Sequence, residues 1–275
     1  MRSRQTAMTF RTRGGTRAGA GRPAKGLHGI RHDPRTRVRP SAPLHVVVRA
    51  TQRVGNLRRP DVYAAIRAAT TVAARHAELH IVHLSIQRTH LHLIVEAASG
   101  RALTKGLRSF QISAAMQING VLSARRAAAS HGPVFERYHA RSLGTPRQVR
   151  ACLAYVLNNW RHHDEHRKPA AVRWLVDKYS SAVAFDGWKE LGAGARFTAP
   201  PDHAPLTVWP PRCWLLRVGW IRYGLVAVRE VPGMRAERGQ PDPAGRDPDR
   251  TGQTARTPKR VDARANRSAL GARRD

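Results

Sequence analysis

From Leu44 to His162 the apolar positions change period several times, and each change marks an element. Leu44–Ala50 (LHVVVRA) is a β-branched run that reads as a strand. Pro60 and Asp61 open a helix to about Ala77, with Val62, Ile66, Ala69 and Val72 at helical spacing. Leu79–Gln87 and Thr89–Glu96 follow as two strands, too close in sequence for anything but a hairpin. A long helix spans about Arg101–Ala129, with Leu103, Leu107, Phe110, Ile112 and Met116 as its apolar residues. Val134–Ser142 (VFERYHARS) reads as a further strand. Thr145 then serves as an N-cap and Pro146 as the first residue of a helix reaching about Arg161.

The order β-α-β-β-α-β-α is the ferredoxin-like split βαβ arrangement with one extra, C-terminal helix. It predicts an α+β fold, an antiparallel sheet with helices packed on one face. Residues 42–165 form this domain. Residues 166–233 read as an accessory segment, in which Trp214, Leu215, Val218 and Ile221 space a short docked helix within Trp209–Val228. Residues 1–41, where Asp33 is the only acid, and residues 234–275 lack apolar periodicity and read as disordered basic arms. The first is a phosphate-binding arm or translated upstream sequence, since Met8 is a second possible start.

Charge narrows the function classes. Lys and Arg total 49 against 18 Asp and Glu, a formal +31, so a polyanionic partner is expected and nucleic acid is the default. No apolar run reaches membrane-spanning length, so no membrane partner is expected. The cysteines, Cys152 and Cys213, form neither a disulfide scaffold nor a zinc ribbon. Their scarcity and the absence of an apolar signal core fit a reducing cytoplasm.

Candidate chemistry sits in two places. Along Thr89–Glu96 the side chains alternate, so His90 and His92 share one face while Leu91, Leu93 and Val95 share the other. Two neutral imidazoles at that spacing suit a divalent metal, and with added oxygen ligands they suit Mg²⁺. Alone, in a chain with 14 histidines, the pair is better read as two solvated strand histidines. On the last helix Val149, Cys152, Leu153, Val156 and Trp160 form an apolar stripe, and Tyr155 and Asn159 lie together at its edge at i and i+4. A boundary tyrosine beside a solvated asparagine is the plain alternative.

Taken together, in this order, His90-x-His92, the segment Val134–Arg141 with its Phe135, Tyr138 and Arg141, and Tyr155-x-x-x-Asn159 resemble the HUH-type single-tyrosine transposases. The resemblance is greatest to REP-associated tyrosine transposases and their insertion-sequence relatives. The similarity covers about Leu44–His162. It implies that Tyr155 is the nucleophile on single-stranded DNA, forming a 5′-phosphotyrosine and releasing a 3′-hydroxyl. It further implies that His90, His92 and Asn159 hold Mg²⁺ or Mn²⁺. Trp160 departs from the pattern, since many relatives carry Pro after the asparagine.

Arg49, Arg101, Lys105, Arg108, Arg137 and Arg141 are candidate phosphate contacts, with a solvated basic surface as the alternative. Phe135, Arg137, His139 and Arg141 are expected on one strand face, and His80 and His83 on opposite faces. His45 carries no assigned role, and Cys152 is assigned to packing. Arg212, Arg217 and Arg222 suggest that the accessory segment reads a DNA hairpin. A related endonuclease without strand transfer and a domesticated hairpin-DNA-binding protein are the competing functions. Monomer and homodimer stay open.

Overall fold

The computed structural model describes residues 37–126, 131–169 and 171–231. Apart from residues 37–41, the two expected basic arms lie outside the described residues. Strands β1 (Leu44–Arg49), β2 (Leu79–Ile86), β3 (His90–Ala97) and β4 (His139–Ser142) make one sheet in the order β2-β3-β1-β4, with every neighbouring pair antiparallel. That is the strand order of the split βαβ arrangement, and the fold is α+β as expected.

Alternation along the strands divides the core in two. Leu44, Val46 and Val48 of β1 and Leu91, Leu93 and Val95 of β3 pack against helices α1 (Pro60–Ala73) and α2 (Gly100–Arg126). Gly106 lets α2 settle on the start of β2, where an added Cβ would fall 2.3 Å from Leu79 Cδ2. The opposite face, through Val82 and Ile94, receives helix α3 (Pro146–His162). Thr145 Oγ1 accepts from the Gln148 N–H at 3.3 Å, so the expected N-cap is in place and Pro146 occupies the first turn.

The segment after α3 covers the outer side of that helix. Val183, Phe185, Trp188, Leu216 and Trp220 pack on the same cluster as Val149, Leu153, Val156 and Leu157. Polar anchors follow the same path: Asn158 Nδ2 donates to the Ala227 carbonyl at 2.9 Å and Arg161 Nε to that of Val228 at 2.7 Å. Arg150 grips Glu230 with both terminal nitrogens, at 2.5 and 2.8 Å. Arg58, just before α1, makes a buried two-pronged pair with Asp177, at 2.8 and 2.7 Å, and donates to the Ile86 carbonyl at 2.8 Å, tying the end of β2 to the same segment. Trp160 is 1% exposed and packs with Ala171 and Trp174, and the helix continues past it to His162.

Three expectations change. First, β2 carries a bulge at Val82: Ile81 pairs with Val95 and His83 with Ile94, so Val82 is an extra residue. The bulge turns His83 onto the face of His80, whose partner is Glu96, rather than the opposite one. The two still do not meet, because His80 stacks on Trp209 while His83 lies against Phe185 and Ser181.

Second, Val134–Ser142 is not one strand. Phe135 bridges to Ala50, but His139 pairs with Val47, so one more residue intervenes on this side than on β1. Phe135 therefore packs with the helix-side core, while His139 and Arg141 face the α3 side. Third, the expected docked helix is only α4 (Trp214–Arg217) followed by a 3₁₀ turn over Gly219–Tyr223. Trp214 lies across Gly219, where a Cβ would fall 2.7 Å from the ring. Leu215, Leu216 and Trp220 are the buried residues, and Trp214, Val218 and Ile221 face solvent. Among the described residues no helix is long and apolar enough to cross a membrane.

Candidate active site

The face of the sheet beneath α3 gathers a row of imidazoles. In the antiparallel register Arg49 lies opposite His90, Val47 opposite His92 and His45 opposite Ile94, so these side chains project together. His90 Nε2 and His92 Nε2 are 2.9 Å apart, and the rings meet edge to face. The second nitrogen of His92, Nδ1, is 3.1 Å from His45 Nε2. The second nitrogen of His90, Nδ1, is 3.1 Å from the Thr89 hydroxyl.

Tyr155 descends onto this row from α3. Its ring stands edge-on to His92, with centroids 5.0 Å apart, and to His45 at 5.9 Å. It is half-buried, whereas Asn159, one turn on, is fully buried. Neither the amide oxygen nor the amide nitrogen of Asn159 has a hydrogen-bond partner. A buried amide without partners costs about 1–3 kcal/mol, so this group calls for an explanation. At the end of the helix His163 brings its ring to 6.2 Å from His90.

Burial governs the electrostatics. It lowers the pKa of His92 to about 2, with His45, His90 and His163 adding smaller effects in the same direction. It lowers His45 to about 4, helped by the Arg141 guanidinium across the strand pair and by His90. Both rings are neutral near pH 7, the form in which an imidazole nitrogen ligates a metal.

The residues present fit a divalent cation, though not through histidine alone. The Nε2 atoms of His90 and His92 converge to 2.9 Å, so both would face one cation. Among the described residues no group of three or more His, Cys, Asp or Glu is set to hold a metal. A cation here would need oxygen donors as well, and the unpartnered Asn159 carboxamide is one.

The basic candidates divide by face. Arg49 and Arg141 lie opposite His90 and His45 respectively, on the site face, and are exposed. Arg137 is exposed in the irregular stretch before β4. Arg101, Lys105 and Arg108 are exposed on α2, where they line an open groove with Thr104, Ile112 and Met116. That helix lies on the other side of the sheet from His90 and His92. The sequence reasoning passed over His45. Its signal was the alternation of Leu44, Val46 and Val48, which turns His45 to the His92 face once β1 and β3 are neighbours.

No protein-family model and no curated protein matches the chain. Among solved structures the chain is similar to a REP-associated tyrosine transposase bound to a REP hairpin, at 15% identity and a TM-score of 0.42, covering 61% of this chain and 99% of that one. It is also similar to a candidate transposase from Deinococcus radiodurans R1, at 13% identity and a TM-score of 0.30, covering 52% and 96%. A bacterial tRNA(His) guanylyltransferase-like protein in complex with ATP matches at 12% identity and a TM-score of 0.32, covering 47% and 59%. At this level of likeness none of them carries a reaction or a substrate over to this chain.

Proposed function

We propose that the chain is a transposase that cuts and rejoins single-stranded DNA through Tyr155, with a divalent cation, Mg²⁺ or Mn²⁺, held by His90, His92 and Asn159. One observation carries the reading: Tyr155 sits against the His90–His92 pair from a helix that also buries an unpartnered Asn159 amide. A phenol and a carboxamide at i and i+4 above two converging imidazoles suit phosphodiester attack. A solvated surface does not account for them, since Asn159 is 0% exposed.

In the proposed reaction Tyr155 Oη forms a bond to phosphorus as the bond from phosphorus to the 3′ oxygen breaks. The phenol proton is lost and the leaving 3′ oxygen gains one. The product is a 5′-phosphotyrosine and a free 3′-hydroxyl, with one phosphodiester exchanged for another. A 3′-hydroxyl can therefore reverse the step at a new junction without ATP. A bound cation supplies charge neutralisation at the phosphate and at the leaving oxygen. Ring contacts with His92 and His45 support Tyr155 above the histidines, and α3 is fixed by packing on both sides. Arg49 and Arg141, on the same face, bind flanking phosphates, as does Arg137. Lys105 and Arg108, across the sheet, bind DNA outside the reacting strand. Hairpin ends are the expected substrate, because the attacked phosphate must be unpaired while a stem gives position.

The test is a covalent adduct. Wild-type protein incubated with labelled single-stranded hairpin DNA and Mn²⁺ should yield a protein–DNA band on a denaturing gel. No band, or an equal band from Tyr155→Phe, overturns the reading. Joining to a second oligonucleotide separates a transposase from an endonuclease without strand transfer.

A further inference from the structure

His45 stands behind His92. Its Nε2 is 3.1 Å from His92 Nδ1, while the far nitrogen of His92 faces His90 Nε2 at 2.9 Å. The two rings lie nearly parallel, 22° apart, and β1 fixes His45 through its pairing with Ile94 on one side and Arg141 on the other.

A neutral imidazole has one N–H, so the contacts of His92 run in one of two directions. His92 can donate from Nδ1 to His45 and keep a lone pair at Nε2. Alternatively it accepts from His45 and carries its proton at Nε2, where a cation would bind. His90 differs, because its Nδ1 meets the Thr89 hydroxyl, which both donates and accepts. His90 can therefore move its proton from Nε2 to Nδ1 and find a partner either way. Since His90 adapts to either arrangement, the state of His92 is set by the direction of its contact with His45.

We propose that His45 is a positioning residue: by accepting from His92 Nδ1 it holds His92 in the tautomer whose Nε2 lone pair faces His90. The pair is then preset for a divalent cation, which His90 admits by shifting its own proton towards Thr89. A ligating histidine that donates its other N–H to a fixed acceptor is oriented by it, and loss of such an acceptor weakens metal binding about 10–100-fold. This role rests on the metal reading above for its purpose, but not for its measurement.

The experiment uses the full chain with ¹⁵N-labelled histidine. Imidazole ¹⁵N–¹H correlation spectra of the metal-free protein report which nitrogen of His92 is protonated, and calorimetric titration reports Mn²⁺ affinity. Wild type should show His92 protonated at Nδ1. His45→Phe keeps an aromatic ring against Tyr155 but removes the acceptor; it should move the His92 proton to Nε2 and weaken Mn²⁺ binding about 10–100-fold. His45→Gln, whose carboxamide oxygen can accept from Nδ1, should restore the tautomer and bring affinity back to within a few fold. His92 protonated at Nε2 in the wild type overturns the proposal. So does an unchanged tautomer and unchanged affinity in His45→Phe. If His45→Phe does not fold, the wild type and His45→Gln spectra decide. Absence of Mn²⁺ binding by the wild type overturns the metal reading, whereas the metal-free tautomers judge His45 separately.

Discussion

The ring of Tyr155 meets the ring of His92 edge-on, with centroids 5.0 Å apart and planes crossing at 77°. Tyr155→Phe removes the hydroxyl and leaves this ring contact in place, which separates packing from chemistry at this residue. Tyr155→Phe should keep the ring packing and fold with a stability within about 1 kcal/mol of wild type. It should form no covalent adduct with hairpin DNA on a denaturing gel, while gel-shift affinity for the same DNA is retained.

Asn159 sets function against stability. Its carboxamide is fully buried with both polar atoms unpartnered, a state that costs about 1–3 kcal/mol. Asn159→Leu, whose branched side chain has the same number of heavy atoms, should raise the unfolding free energy of the metal-free protein by about that amount in urea. The same variant should bind Mn²⁺ more weakly and yield less adduct. A destabilised Asn159→Leu would mean that the amide has partners in solution.

Acid should destabilise the fold through its buried histidines. His83 is fully enclosed between β2 and the Ser181–Phe185 stretch, and burial lowers its pKa from 6.5 to about 4. The unfolded chain takes up a proton between about pH 6.5 and pH 4 that the folded chain refuses. Stability from this group is complete above about pH 6.5, falls on acidification and levels off below about pH 4. The loss is about 3 kcal/mol. His83→Phe should unfold less steeply with falling pH than wild type, by about one proton, when urea midpoints at about pH 7, 5.5 and 4.5 are compared.

Hairpin binding should depend on the exposed edge of the segment after α3. Arg222 lies over the Trp214 ring at 5.3 Å, and Trp214 and Tyr223 are about half exposed, at 52% and 51%. Removing the whole segment would strip α3 of the residues that cover it, so point changes are the cleaner probe. The double change Arg217→Ala with Arg222→Ala should weaken hairpin binding at every sequence alike. The slope of log affinity against log salt should become shallower by about 0.7–0.9 for each phosphate that is no longer neutralised.

How much of this was legible depended on whether the signal was local. The two-fold alternation of His90 and His92 against Leu91 and Leu93, and the capped start of α3 at Thr145, are local and appear as expected. The bulge at Val82 and the extra residue before β4 were not legible, because each is set by the partner strand rather than by its own sequence. The same holds for Leu215 and Trp220, whose burial is decided by the outer side of α3 and not by their spacing. Trp160 follows that pattern. In place of a helix-ending residue it supplies an apolar anchor to Ala171 and Trp174, and α3 runs on to His162.

Being clamped between the sheet and the chain that follows it, α3 brings its tyrosine to histidines of its own polypeptide. An exchange of this helix between two copies would require the cluster around Phe185, Trp188 and Trp220 to come apart first. On the function proposed above, the tyrosine and the histidines of one reaction site therefore come from one copy. Two inactive chains, one Tyr155→Phe and the other His90→Ala, should not rescue each other when mixed, and the yield of adduct per chain should be indifferent to dilution.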